Sequence, residues 1–433
     1  MLLQNVACSA YGWNEARHRL GSKLDRNLER LLESEWWPRG EIDSFQDERV
    51  AEIVRHAYEH VPYYRDAFRR AHLTPDDVRG VADLEKLPVL TKEAVRAHEA
   101  GFLSGLADRR RLVLRRTSGT TGTSLHLYAS RDAAALQWAV WWRHRVRFGV
   151  RPGDWHANFT GKIVVPSEQE APPYWRWNLP MRQIVLNMQH LTPAKIEPIV
   201  RFLDGRRLAF FGGYPSILHA FAASALERGL TLSSPPRVVT SGAENMHEFQ
   251  RRDIVAVTGA IVTDQYGQTE ACGNASHCER LVYHEDFEFG VLECVDPEPL
   301  PDGRVRGRIV CTGYANPDFP LIRYDTGDLG VWAPDGRHCE CGRSSRVLVA
   351  VEGRVEDYVV TPEGRRIMRF DYLFKDARSV KECQVVQTDR RRLTLRIVRR
   401  DGYDGRDEAF PWWWSRGRRS TFFSHRLISY LET

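Results

Sequence analysis

Between Arg115 and Leu125 the chain reads RRTSGTTGTSL. Thr117, Ser118, Gly119, Thr120, Thr121 and Gly122 put four hydroxyls and two glycines directly after a strand-like run, LVLRR. Glycines let backbone N–H groups approach an anion closely and hydroxyls add donors, so the stretch suits a phosphate. It is not the G-x-x-x-x-G-K-[ST] form of such a loop, because Thr123 stands where the lysine would be. A serine/threonine turn closed by its own side chains is the competing description. A second passage, DQYGQTEACG from Asp264 to Gly273, follows the apolar run AIVT and sets Tyr266 beside a glycine, with Thr269 and Glu270 beyond. A third, IRYDTGDLG, places Asp328 after a turn glycine, and a fourth, VEGRVEDYVV, begins at Val351.

Soft metal ligands form a further group. HCERLVYH and HCECGR contain Cys278 and His284 as C-x5-H, and Cys339 and Cys341 as C-x-C. Two such pairs from separated segments can complete a tetrahedral zinc shell, which would be structural because four protein ligands leave no open position. Cys272, His277 and His338 are alternative ligands, and ordinary buried thiols with surface histidines are the plain alternative.

The elements that must position these residues differ along the chain. The first hundred or so residues predict helices: Leu20, Leu24, Leu28 and Leu31 recur at helical spacing, as do Val50, Ile53, Val54, Ala57 and Val61. Pro62 should break the second run, and Thr91 should cap a short helix. From about Arg111, β-branched runs alternate with helical patterns, as in LAFFGGYPSILHAFAASALERG and PRVVTSGAENMHEFQRRDIV. That alternation predicts an α/β domain with helices covering a sheet. GRIVCTGY and DLGVWAPDG predict antiparallel strands. A boundary is expected near Gly353, giving a large domain over 1–353 (helical over about 1–105) and a small one over 354–433. The end, PWWWSRGRRSTFFSHRLISYLET, fits neither period and reads as a divergent or frame-shifted terminus after about residue 410 rather than a surface-binding tail.

Composition narrows the class. Sixty-two basic against 57 acidic residues leave +5, too mild a balance to suggest a nucleic-acid or membrane partner. There is no secretory leader pattern and no run of roughly 18 apolar residues, so a cytoplasmic protein is expected. Eight cysteines in a reducing compartment should be thiols. Nothing in the sequence indicates an oligomeric state.

Taken in order, the four passages resemble the adenylate-forming (AMP-binding) ligase superfamily. HVPYYRDAF, LPVLTKEAVR, GYPSILHAFA and CECGR resemble more narrowly its phenylacetate–CoA ligase branch, with the capsular-polysaccharide-type relatives, over about residues 45 to 400. The resemblance implies a large α/β domain of sheets flanked by helices, with a small β subdomain, followed by a small α+β domain. It implies ATP, Mg2+ and coenzyme A as cofactors and a small-molecule carboxylate as substrate. The Thr117–Ser124 loop, with Thr117 to Gly122 as its contacting residues, would hold the β- and γ-phosphates. Tyr266 would stack on adenine, with Asp264 and the backbone of Gly242, Ala243 and Glu244 near its edge. Thr269 would contact the α-phosphate, and Glu270 would ligate Mg2+ as a hard oxygen donor. Asp328 would accept from both ribose hydroxyls, Arg354 would add a charged donor, and Glu356 would be the hinge. Similar Cys/His pairs in the branch support joining Cys278 and His284 to Cys339 and Cys341.

The implied reaction joins a carboxylate to the α-phosphate of ATP, releases pyrophosphate, and passes the acyl group to coenzyme A. The sequence departs from the family at one point. After Arg354 only Lys375 and Lys381 remain, both too early for the lysine that family members bring onto the α-phosphate. Arg416, Arg418 and Arg419 carry charge there, but a planar fork replaces an ammonium poorly. Three functions follow: a carboxylate–CoA ligase, an adenylating enzyme with an amine or carrier-thiol acceptor, and a nucleotide-binding homologue with impaired turnover. Aromatic residues of PPYWRWNLPMRQIVLNMQHL and FFGGYPS would line the acyl pocket and suit an aryl or arylacetic acid, although core packing explains aromatics equally well.

Overall fold

A computed structural model describes residues 2–117, 125–166, 168–334, 339–353, 359–360, 366–367, 380–390, 392–399 and 425–430. The chain divides into two compact units. The first comprises Met1–Arg115, His126–Val165 and Ala171–Arg354, and the second Arg116–Leu125, Pro166–Glu170 and Val355–Thr433.

Helices dominate the start of the larger unit: α1 (Leu2–Arg19), α2 (Ser22–Ser34), α3 (Arg39–His60), α4 (Pro62–Ala71) and α5 (Lys92–Ala97). The leucine spacing becomes a buried stripe on α2, where Leu24, Leu28 and Leu31 pack with Ala139, Val140 and Trp142. Pro62 occupies the first turn of α4, where its missing N–H leaves no bond unmade. The Thr91 hydroxyl caps α5 by accepting from the Ala94 N–H at 3.2 Å.

Next come β1 (Val113–Arg116), β2 (His126–Ala129), α6 (Arg131–Arg147), β3 (His156–Phe159), β4 (Trp175–Asn178) and β5 (Gln183–Leu186). They are followed by α7 (Ile196–Asp204), β6 (Phe210–Gly213), α8 (Pro215–Glu227), β7 (Val238–Gly242), α9 (Glu248–Thr258) and β8 (Ile261–Gly267). The remaining strands of the unit are β9 (Asn274–His277), β10 (Tyr283–Glu285), β11 (Gly290–Pro299), β12 (Val305–Gly313), β13 (Tyr324–Trp332) and β14 (Val347–Gly353). One mixed sheet of twelve strands results, in the order β11-β12-β13-β14-β10-β9-β8-β7-β6-β3-β5-β4. Its β5-β3-β6-β7-β8 segment is parallel. Parallel strands are covered on both faces, which is why FF, VV and QIVL are buried runs rather than alternating ones. Phe159, Phe211, Leu218, Phe221, Ile254 and Val257 form the main core between sheet and helices. The expected antiparallel strands around GRIVCTGY and DLGVW are β12 and β13. No described helix is long and apolar enough to cross a membrane.

In the second unit the described elements are strands: β15 (Val359–Val360), β16 (Arg366–Ile367), β17 (Val380–Asp389), β18 (Arg392–Arg399) and β19 (His425–Tyr430). The last pairs parallel with β18, so part of the tail that matches neither period by sequence does take strand form.

Candidate active site

Parallel strands end with their carboxyl edges open to ligand, and β7 and β8 bring the chemistry there. β8 runs through the QYG triplet to Gly267, further than the AIVT run suggests. Asp264 and Tyr266, two residues apart, therefore share one face of the strand. The Tyr266 hydroxyl donates to Asp328 Oδ2 at 2.9 Å, although 62 positions separate them. Burial, with the Asp328 carboxylate adding to it, pushes the Tyr266 phenol well above its usual range, so it stays a donor. Asp328 is further fixed by its own N–H, which donates to the Thr326 hydroxyl at 3.1 Å.

Past the end of β8, Thr269 is exposed and Glu270 is buried. The Tyr324 hydroxyl donates to Glu270 Oε1 at 2.9 Å, tying the third sequence passage to the second. Beside them, β7 ends at Gly242, and Ala243 takes a left-handed φ of 68° that turns the chain off the sheet. Glu244 then accepts from the Ser216 N–H, at the start of α8, at 3.0 Å.

Asp264 is held differently from the others. Ser241 Oγ donates to its Oδ1 and the Tyr283 hydroxyl to its Oδ2. Burial pushes its carboxyl up despite these donors. Its N–H donates to His277 Nδ1 at 3.0 Å, which places the His277 proton on Nε2. Burial pushes the His277 pKa down to about 3, so the ring is neutral. Tyr283, His277, Ser241 and Tyr324 carry no role in a reading of the sequence for nucleotide contacts. Tyr283 and Tyr324 lie inside the quoted passages, but only strand pairing gives them partners.

Of the phosphate loop, Thr117 is described: it is buried, and its N–H and hydroxyl pair with the backbone of Leu125 at 3.0 Å. Ser118, Gly119, Thr120, Thr121 and Gly122 lie outside the described residues, as do Arg354 and Glu356. The aromatic stretch expected at the acyl pocket includes β4. β4 is five strands from β8, about 24 Å at the ~4.8 Å strand spacing. There Trp175 stacks on Phe202 with centroids 3.9 Å apart, and Trp177 packs edge-on to Trp155 and Phe202. These tryptophans are half-buried and pack against the main core. The FFGG segment, by contrast, ends β6 beside β7.

The two soft pairs meet. One donor atom each from Cys278, His284, Cys339 and Cys341 lies within 4.8 Å of the others. Cys278 Sγ and Cys339 Sγ are 3.7 Å apart, and Cys341 Sγ is 3.3 Å from His284 Nε2. A tetrahedron with zinc–sulfur bonds of about 2.3 Å has edges of about 3.8 Å, so the donors already stand at metal-binding separation. His284 Nδ1 is 3.2 Å from Ser345 Oγ, a contact that orients the ring for ligation through Nε2. Burial is the largest single influence at Cys341 and raises its thiol, but hydrogen bonds from His284 and Arg343 together with the His284 charge outweigh it and push the thiol down to about 6. Burial pushes Cys339 up to about 12. Two of the alternative ligands are excluded: Cys272 packs against Gly290 and Gly313, and His277 is committed to Asp264. His338 lies outside the described residues. Around the cluster runs an ion-pair lattice, buried except at Glu279, that sequence alone does not reveal. Arg343 binds Glu279 and Glu35, Arg147 also binds Glu35, and Arg143 binds Asp286 and Glu288.

Comparison with known proteins places these features in context. The chain is 28% identical over 344 residues to a phenylacetate-coenzyme A ligase of Thermus thermophilus, covering 76% of this chain and 74% of that one. It is 22% identical over 331 residues to protein CapK of Staphylococcus aureus, covering 76% and 70%. Among solved structures, 2-hydroxyisobutyryl-CoA ligase in complex with 2-HIB-AMP and CoA shares the fold, with a TM-score of 0.58, 19% identity and coverage of 92% and 87%. No family model matches the sequence.

Proposed function

We propose that this chain, a relative of phenylacetate–CoA ligases and CapK with the fold of the adenylate-forming acyl-CoA ligases, activates a small carboxylic acid with ATP and transfers the acyl group to coenzyme A. What most supports it is the meeting of two distant passages at one strand edge, through Tyr266 with Asp328 and Tyr324 with Glu270. A carboxylate oxygen of the substrate forms a bond to the α-phosphorus, and the bond to the bridging oxygen breaks to release pyrophosphate. The coenzyme A sulfur then attacks the acyl carbonyl, and AMP leaves with the electron pair of the anhydride oxygen.

In this reading Tyr266 offers its ring to adenine while its hydroxyl holds Asp328 for the ribose hydroxyls. Gly242–Glu244 border the base, with Asp264 behind them. Thr269 donates to the α-phosphate, and Glu270 is the carboxylate placed to hold Mg2+, which when bound neutralises phosphate charge. Positioning and charge neutralisation are the main contributions open to such a site. Serine, threonine and glycine of the 118–122 loop would be donors for the β- and γ-phosphates, Arg354 a further donor and Glu356 the hinge.

ATP–pyrophosphate exchange, screened over aryl, arylacetic, fatty and amino acids, tests the first half-reaction. Exchange with an aryl or arylacetic acid is expected, and no exchange with any acid would favour the reading as a nucleotide-binding homologue with impaired turnover. Thioester formation on adding coenzyme A tests the second half. Exchange without thioester would point to an amine or carrier thiol as acceptor.

We propose in addition that Cys278, His284, Cys339 and Cys341 hold a structural zinc that pins the turn after β9 to the segment before β14. The donor separations and the Ser345 contact support this. Elemental analysis should find one zinc per chain, falling towards zero in Cys339→Ser/Cys341→Ser.

A further inference from the structure

The β9–β10 hairpin carries two functions on its two faces. Cys278 opens the connection, whose N–H donates to Val282 O at 2.9 Å, and His284 lies on β10. The residues next to these ligands, His277 and Tyr283, are cross-strand partners with ring centroids 4.1 Å apart. Side chains alternate along a strand, so His284 reaches the thiols while Tyr283 points to the opposite face. There Tyr283 and His277 hold Asp264 from two directions, one at its carboxylate and one at its N–H. All three residues are buried. The other oxygen of Asp264 accepts from Ser241, the residue before Gly242–Glu244, and Tyr266 lies two residues further along β8. Asp264 therefore links the ends of β7 and β8 to the hairpin, and the hairpin is anchored at the cysteine–histidine cluster.

We infer that His277 and Tyr283 are positioning residues that couple metal occupancy of the Cys278/His284/Cys339/Cys341 cluster to nucleotide binding, through Asp264. The inference rests on the adenylate-site and zinc readings above. With zinc bound, two of the four ligands fix the hairpin, and the His277–Tyr283 pair holds Asp264 and both strand ends in register. Without it, thiols crowded within 3.7 Å have no cation between them, and the hairpin loses that anchor. Coupling between two sites is reciprocal, so nucleotide must tighten zinc by the factor with which zinc tightens nucleotide.

The test uses the full chain, AMP as the nucleotide probe in calorimetry, and Zn2+ in competition with a chromophoric chelator. AMP should bind the zinc-loaded protein about tenfold more tightly than the metal-free protein, within the usual range for such coupling. Saturating AMP should raise zinc affinity by the same factor. Tyr283→Phe and His277→Leu should each still bind one zinc but bring the factor towards one. His277→Asn, which keeps an acceptor near the Nδ1 position, should restore it. A role confined to general stability would weaken AMP binding equally with and without zinc and leave the factor unchanged, which overturns the inference. So does equal AMP affinity of loaded and metal-free wild type, or failure of the wild type to bind zinc. AMP binding to neither form refutes the adenylate reading itself. If Tyr283→Phe does not fold, the His277→Leu and His277→Asn pair decides.

Discussion

His156 should make this fold acid-labile by a calculable amount. Its ring stacks on Phe210, with centroids 4.2 Å apart and planes 13° from parallel, and its Nδ1 is 3.3 Å from Asp154 O. Burial, with the nearby Arg145 charge adding to it, pushes its pKa down to about 3 from 6.5. The folded value is the lower one, so its contribution is fully present above 6.5 and is lost as pH falls from there towards 3. Between pH 7.5 and 5 the unfolded imidazole gains a proton that the folded one refuses, worth about 2 kcal/mol at ~1.36 kcal/mol per pH unit. His156→Phe keeps the stacking area and removes the titration. Urea unfolding of wild type and variant at both pH values yields a double difference, in which Asp264, Glu285 and Glu293 cancel. Those buried carboxyls have raised pKa values and work with the opposite sign. The variant should lose about 2 kcal/mol less than wild type on acidification. Equal losses would refute the placement of a neutral, buried imidazole against Phe210.

Asp328→Asn should weaken AMP binding about tenfold to a hundredfold, since hydrogen bonds to a charged group are worth about 1.5–3 kcal/mol. Unchanged affinity by calorimetry would remove Asp328 from the ribose. Tyr266→Phe should weaken it less, because the ring remains and only the 2.9 Å donor to Asp328 goes. Gly213→Ala should cost about 1–3 kcal/mol, seen as a lower thermal midpoint, because its new Cβ would stand 2.4 Å from Phe159 O. Arg343→Ala should cost about 1.5–3 kcal/mol in urea unfolding through its lost charge-assisted bonds, since Glu35 keeps Arg147 and Glu279 reaches solvent. A loss under 1 kcal/mol would show those pairs to be solvated.

The ion pairs reach the cysteine–histidine cluster through Arg343 and Glu279. Arg343 follows Cys341 by two residues and Glu279 follows Cys278 by one, so each arm of the cluster is also held by the Arg343–Glu279 pair. Through Glu35 the same guanidinium reaches Arg147 on α6. Burying so many charges is favourable only when each finds a partner, and every charge in this lattice has one.

Much here follows from short-range rules. The α2 leucine stripe, the Pro62 break, the Thr91 cap and the strand–helix alternation around β6 and β7 depend on neighbours within about four residues. The four chemistry-bearing passages are likewise contiguous, and their resemblance to adenylate-forming ligases is legible before any folding is considered. Other features have no local signature. That β10 lies beside β9 and β14, so that Tyr283 reaches Asp264 and His284 reaches Cys341, depends on strand order across residues 264–353. Trp175 and Trp177 look like a substrate wall in sequence and are half-buried against Phe202 and the core, because β4 occupies the far edge of the sheet. Tryptophan offers the same apolar face to a ligand or to Phe202. Which one it meets is decided by where the strand pairs, and pairing is chosen by the burial of the whole sheet rather than by the strand's own residues.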